Sequence, residues 1–457
     1  MQITGISSLN TFFSSPVASV ANNTVTAGDT YSPDKISVAE TYDMFGNIHS
    51  NIFSSFTNEK SFMSAIREVF DSVQDTVLTS DNLTEAAKIS DKFEKYGEWL
   101  SFSEDKSIAS ISNAHNVYYD GSNSEIDVHH SDNVVLDSDD KDHTIRIHDS
   151  KNVISTSGSG KDRSLLINAS NVIIDSGAGG DISEVFSSDD VIINSGDGND
   201  GSLICLSNNV IMNTGDGIDY VTVDDSNNVY IDSGSGNDRI NSSFSTNLAI
   251  NSGDGDDSIE IIGSNNASII TGDGSDNIYL STTNDTNILS GNGDDIINAS
   301  GSFIDGDSIT VDGGAGDDTI TVESYGNAII NGGEGNDTIT GTGIISGGTG
   351  DDYISLYHSL FEGRVASTIS YSRGDGSDIV DGASKDTMID MNGISEDEYD
   401  ITDSVNENGT KVKTYTMKDG SGSITLIYGN NQDYTKKQEY DTSATYEKMA
   451  DVQITDV

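Results

Sequence analysis

The stretch DDVIINSGDGNDGSLICLSNNVIMNTGDGID, residues 189–219, states one structural phrase almost twice. A β-branched run (Val191, Ile192, Ile193) leads into the loop SGDGND. A second short apolar run (Leu203, Ile204) follows, then a polar turn, and the phrase restarts at Val210, one period of 19 after Val191. Alternation at period two over runs this short reads as strand, and glycine with aspartate reads as tight turn. Each unit is therefore strand, glycine loop, strand, polar turn. Two strands in so short a unit bury nothing alone, but copies stacked in register close a core between two parallel sheets.

Beyond that stretch, the pattern [S/T/G]-G-x-G-x-D ends at Asp162, Asp181, Asp200, Asp219, Asp238, Asp257, Asp276 and Asp295, which gives seven successive intervals of 19. Three G-G-x-G-x-D copies follow, ending at Asp318, Asp337 and Asp352 at intervals of 23, 19 and 15, for eleven copies in all. Residues gained or lost at the opposite turn would leave the glycine edge aligned. An Asn or Asp before each apolar run keeps the same beat, at Asn133, Asn152, Asn171, Asp190, Asn209, Asn228, Asn247, Asn266 and Asp285. Turn chemistry or a side-chain ladder explains that second row better than ligand binding.

The fold expected is an all-β, right-handed parallel β-helix over about 115–360, with a small helical region before it. Residues 1–40, rich in Ser, Thr and Asn without periodicity, read as disordered and as a candidate export signal. In 41–110, Phe62, Ile66, Val69, Phe70, Val73 and Val77 fall on one helical face, and Asn82 with Glu85 opens a second helix through Ala86, Ile89, Phe93, Tyr96 and Leu100. This pair would cap the first coil or, alternatively, carry a separate activity. Residues 361–430 read as a β-rich C-terminal cap, and 431–457 as a polar tail suited to a secretion signal.

Composition narrows the function. The 457 residues hold 22 Lys plus Arg against 76 Asp plus Glu, a net charge of 22 − 76 = −54. Such a chain repels nucleic acid and anionic lipid and attracts cations. With Cys205 as the single cysteine, a disulfide framework and a cysteine-rich zinc site are excluded, which leaves oxygen ligands and a hard cation. No stretch is apolar for long enough to span a bilayer. The start, MQITGISSLNTFFSSPVASVANN, lacks the basic and compact apolar parts of a cleavable secretory signal.

Calcium suits the loops. Two glycines can take φ > 0 and let carbonyls turn inward, while the aspartate brings charge. Calcium accepts six to eight oxygens in loose geometry, so loops of two stacked coils can share an ion. The candidate ligand set is Gly177, Gly179 and Asp181; Gly196, Gly198 and Asp200; Gly215, Gly217 and Asp219; Gly234, Gly236 and Asp238; Gly253, Gly255 and Asp257; Gly272, Gly274 and Asp276; Gly291, Gly293 and Asp295; Gly314, Gly316 and Asp318; Gly333, Gly335 and Asp337; and Gly348, Gly350 and Asp352. Carboxylates about 4.8 Å apart repel by roughly 3 kcal/mol at an effective dielectric near 20, so metal binding and folding are expected to be one event. The plain alternative is that Gly and Asp serve only as turn residues.

GGAGDDTIT (Gly313 to Thr321) and GGEGNDTIT (Gly332 to Thr340) resemble the RTX, or haemolysin-type, calcium-binding repeat G-G-x-G-x-D-x-U-x at every fixed position. The resemblance covers about 157–356, and Arg373 to Asp378 followed by DTMIDMNGIS (Asp386 to Ser395) is similar to the domain that often follows such repeats. It implies a bacterial protein exported to a calcium-rich medium, secreted by a non-classical route, with type I favoured over type III. Here the loop occurs once per coil instead of in tandem, so one edge alone should carry ions. Ser or Thr replaces the first glycine in eight copies, and Lys161 or Gly180 precedes the aspartate in the first two.

The sequence assigns no catalytic residue. No H-E-x-x-H or G-x-S-x-G occurs, and His129, His130, His143 and His148 read as lone surface histidines. The expected function is a secreted calcium-binding structural, adhesive or toxin-associated module. The alternative is a polysaccharide lyase or epimerase on a parallel β-helix.

Overall fold

The computed structural model describes residues 77–79, 99–102, 108–121, 123–301, 308–324, 327–356 and 367–429. It is an all-β parallel solenoid of about 13 turns, with almost no helix among the described residues. Two parallel ladders run its length. In the first, sheet A, Lys151–Thr156, Ser170–Asp175, Asp189–Asn194 and Asn208–Asn213 stack in succession. In the second, sheet B, Arg163–Ile167, Ile182–Phe186, Gly201–Cys205 and Tyr220–Asp224 do the same. Register steps by one whole period, as in Val172↔Val191↔Val210.

Four inward columns make the core. Sheet A supplies Val172, Val191, Val210 and Val229 in one column and Ile174, Ile193, Met212 and Ile231 in the next. Sheet B supplies Ile240, Ile259, Ile278 and Ile297, and beside them Val185, Ile204 and Val223. Most rungs repeat apolar pairs at these positions, with Ser164, Ser183, Ser202 and Ser242 buried in the same sheet B columns, so a core only two side chains deep extends without a globular interior.

The uneven spacings are absorbed as the loop pattern requires. Gly291 pairs with Gly314 across the long step between Asp295 and Asp318, and Gly333 with Gly348 across the short step between Asp337 and Asp352. The stack also continues beyond the last G-G copy: Thr368–Ser370 and Met388–Asp390 extend sheet A, and Gly376–Ala383 extends sheet B. An antiparallel unit of Tyr399–Val405, Lys411–Met417 and Gly422–Tyr428 then closes that end, its last strand pairing in parallel with Gly376–Ala383. Met417, Ile424 and Leu426 join the core there.

At the other end, Val77–Thr79 pairs in parallel with His115–Gly121, and Trp99–Phe102 pairs antiparallel with Ile108–Ser112. Val77 and Leu100, placed on helical faces by their spacing, are therefore strand residues; the open rungs of the sheets recruit them by ladder hydrogen bonds, which local period does not register. The rest of both expected helices, together with 1–40 and 431–457, lies outside the described residues. Among the described residues no helix is long and apolar enough to cross a membrane.

Candidate metal centre

The loop aspartates form one buried row. Asp162, Asp181, Asp200, Asp219, Asp238, Asp257, Asp276, Asp295, Asp318, Asp337 and Asp352 are each no more than 3% exposed. Their partners repeat as regularly as they do. Each Oδ1 accepts the backbone N–H of the residue in the same register one coil earlier: Asp181 N–H donates to Asp200 at 2.7 Å, Asp238 N–H to Asp257 at 2.8 Å, and Asp318 N–H to Asp337 at 2.8 Å. Each Oδ2, in all eleven, is buried without a hydrogen-bond partner. One oxygen is thus a structural pin between coils, and the other carries desolvated charge with no hydrogen bond to answer it.

Burial dominates the electrostatics. It pushes the carboxyls of Asp181, Asp200, Asp257, Asp318 and Asp337 up to about 7, and those of Asp238, Asp295 and Asp352 up to about 6. The N–H bond from the preceding coil opposes that rise, helped at Asp257 by the nearby Ser252 hydroxyl, while neighbouring carboxylates add to it.

The glycines are fixed by close approach. A Cβ on Gly196 would stand 1.6 Å from the Gly177 carbonyl oxygen, and one on Gly198 would stand 1.3 Å from that of Gly179. Both have positive φ, 94° and 155°, a region costly to residues with a Cβ. Glycine edges therefore stack carbonyl against Cα along the row. The first loop position matters too: a Cβ at Gly313, Gly332 or Gly347 would fall 2.4, 2.2 or 2.0 Å from Oδ2 of its own loop aspartate. Where Ser or Thr stands there, the side chain is buried, and the hydroxyl of Thr271 donates to the Ser290 carbonyl at 2.7 Å.

An Asx ladder outside the buried row pins the fifth loop position. Asp294, Asp317 and Asn336 accept the N–H of Asp317, Asn336 and Asp351 in the next coil at 2.8, 2.7 and 3.0 Å. Asp294 and Asp317 are exposed on the rim.

The structure brings every predicted loop aspartate into this row and adds one. Gly374-Asp375-Gly376-Ser377-Asp378 is a twelfth copy with Arg373 in first place. A Cβ on Gly376 would meet the Gly350 carbonyl at 1.9 Å, and Asp378 accepts the Asp352 N–H at 3.2 Å. Burial and the adjacent Asp352 push its carboxyl up to about 8. The G-x-G-x-D core is visible in the sequence, but the arginine and the lengthened step after Asp352 set it apart from the repeat.

The row also has an end stop. His143 occupies the aspartate register one coil before Asp162, its N–H donating to Asp162 at 2.7 Å. Its side chain is fully buried and contacts the Asn123 carbonyl at 2.8 Å and Asp139 at 3.0 Å. Expected as a surface histidine, it is instead a buried terminator of an acidic column, with both ring nitrogens facing oxygen acceptors. His129 and His148 stack with ring centroids 5.0 Å apart on the outer face, and His130 lies 3.6 Å from Asp149.

The Asn row is a ladder and a turn device together. Asn209, Asn228, Asn247 and Asn266 have φ of 54° to 57°, and each amide donates to the preceding member at 2.7 to 2.9 Å. Between the two left-handed residues of most of these turns sits a buried serine, such as Ser207, whose hydroxyl accepts the Ser188 N–H and donates to the Cys205 carbonyl; Ala169 and Thr283 take its place in two others. That edge is occupied with its own hydrogen bonds.

Among the described residues, no three side chains of His, Cys, Asp or Glu converge on one point; the acids are a line, not a cluster. No protein-family model, curated protein or solved structure matches the chain.

Proposed function

We propose that the chain is a calcium-binding solenoid of the RTX kind, completed by divalent ions along the aspartate edge and working outside the cell. One observation carries this reading: an unpartnered, buried carboxylate oxygen at the same corner of eleven coils. Turn chemistry accounts for Oδ1 and for the glycines, but it leaves each Oδ2 without a counterpart. The donor set is carboxylate and carbonyl oxygen, which is calcium chemistry. Loops of neighbouring coils would hold each ion, with Asp181 through Asp378 as the charged ligands. Bound there, the ion supplies the positive charge that the row lacks.

Calcium affinity of about 0.1 to 1 mM, the range of extracellular modules, would leave the protein weakly folded where the ion is scarce and firm where it is abundant. This supports a secreted structural, adhesive or toxin-associated role, with calcium as the signal that export is complete. Carboxylates spaced along a row, instead of gathered in one coil, give no support to lyase chemistry.

Counting ions tests the reading. Calorimetric titration of the whole chain should show several calcium ions per molecule, and Asp257→Asn should bind fewer while keeping the strand signal. A stoichiometry of zero, or an unchanged count in the variant, rules the site out.

A further inference from the structure

A column of outward side chains on sheet A is hidden although nothing described covers it. Ile192 stands between two core residues, Val191 and Ile193, and by strand alternation points away from the interior. It pairs in register with Ile211, Tyr230, Ala249 and Ser268 above it, and Ile173 and Ile154 below. None of these belongs to the interior cluster. Yet Ile154 is 2% exposed, Ile192 9%, Ile211 1%, Tyr230 4% and Ala249 5%, with Ile173 alone among the apolar members from Ile154 to Ala249 half-buried. The comparable outward column of sheet B, through Leu165, Glu184 and Leu203, is half-buried throughout. Every described strand is paired within the two ladders and their end units.

The column is apolar and bordered on both sides by polar ladders. Asn194, Asn213 and Asn251 each donate to an Asx in the preceding rung at 2.7 to 2.9 Å on one side. Asn208 and Asn284 do so at 2.8 Å on the other. A strip of aliphatic and aromatic surface with a hydrogen-bonded rim has the form of a docking groove.

We propose that the groove is filled by this chain's own segment Tyr42 to Thr76. That segment ends at Val77, which pairs with Tyr118 in the same sheet and the same register column. Its carboxyl end is thereby tethered at one end of the groove. Tyr118 to Ala249 spans seven rungs, about 34 Å, well within the segment's reach in any conformation. Phe45, Ile52, Phe56, Phe62, Ile66 and Phe70 give it apolar residues throughout. Being tethered, it competes with any partner at high effective concentration. The proposal is independent of calcium.

Limited trypsin digestion of the full chain in calcium tests it, because Lys60 and Arg67 lie in the segment. Cleavage at both should be at least about tenfold slower in the parent than in Ile211→Glu, which spoils the groove. It should also be slower than in the double variant Ile66→Glu/Phe70→Glu, which spoils the segment and leaves every solenoid residue intact. The strand signal of the double variant should match the parent. Equal cleavage in the parent and the double variant overturns the proposal. So does protection that vanishes on dilution with a halving of molar mass, since a second copy would then be the cover.

Discussion

Each of the eleven loop aspartates from Asp162 to Asp352 divides its work between two oxygens. Oδ1 holds the neighbouring coil through a 2.7 to 2.8 Å bond from backbone N–H, as at Asp200 and Asp219, and Oδ2 is buried without a partner. Number and spacing make these aspartates legible in the sequence. Their inward turn is not legible, because G-x-G-x-D fits an outward turn residue equally well. Nor is the burial of His143 as the end stop: it stands one period before Asp162, but a histidine in place of the aspartate reads as a decayed copy and not as a terminator. A pH dependence follows. Burial raises these carboxyls from their ordinary range, near 4, to about 6 for Asp238 and about 7 for Asp200 and Asp257. The folded state therefore holds more protons than the unfolded state between those values. Stability from this source is complete below about pH 4 and lost as pH rises through 6 to 7. In chelator, the melting temperature should fall between pH 4.5 and 8, and added calcium should remove most of that slope. A chelated protein that melts at the same temperature at both values would rule this coupling out.

The coil is the most legible element, because a regular 19-residue period leaves only one way to bury both strands. Register follows from it, since slipping by one residue would turn every Val and Ile column outward. Two features are not legible. The outward isoleucines on sheet A are hidden, because the run Val191-Ile192-Ile193 is continuously apolar and masks the alternation. Val77 and Leu100 fit a helical period, yet the open rungs claim them. The stacked glycine edge makes a sharp prediction. Gly236→Ala would place a Cβ 1.5 Å from the Gly217 carbonyl at a φ of 132°, and should cost about 3 kcal/mol from crowding and strain together. Gly409→Ala, also at positive φ but with open space around it, should cost about 1 kcal/mol. Urea denaturation in calcium measures both, and equal losses would mean that loop stacking is not what fixes these glycines.

Taken as one body, the solenoid is a narrow hydrophobic ribbon whose two edges are built on opposite principles. The Asn and Ser edge satisfies itself. The Gly and Asp edge gathers like charge, on a chain whose net charge is −54, and leaves it unanswered. Because rungs share their loads with their neighbours, gain or loss of ions should spread along the stack as a cooperative change. The decisive experiment follows the melting temperature of the full chain at neutral pH as free calcium rises from chelated to several millimolar, with magnesium as the control. Melting should climb steadily with the logarithm of calcium and scarcely respond to magnesium. An identical melting temperature in calcium and in chelator would overturn the calcium reading.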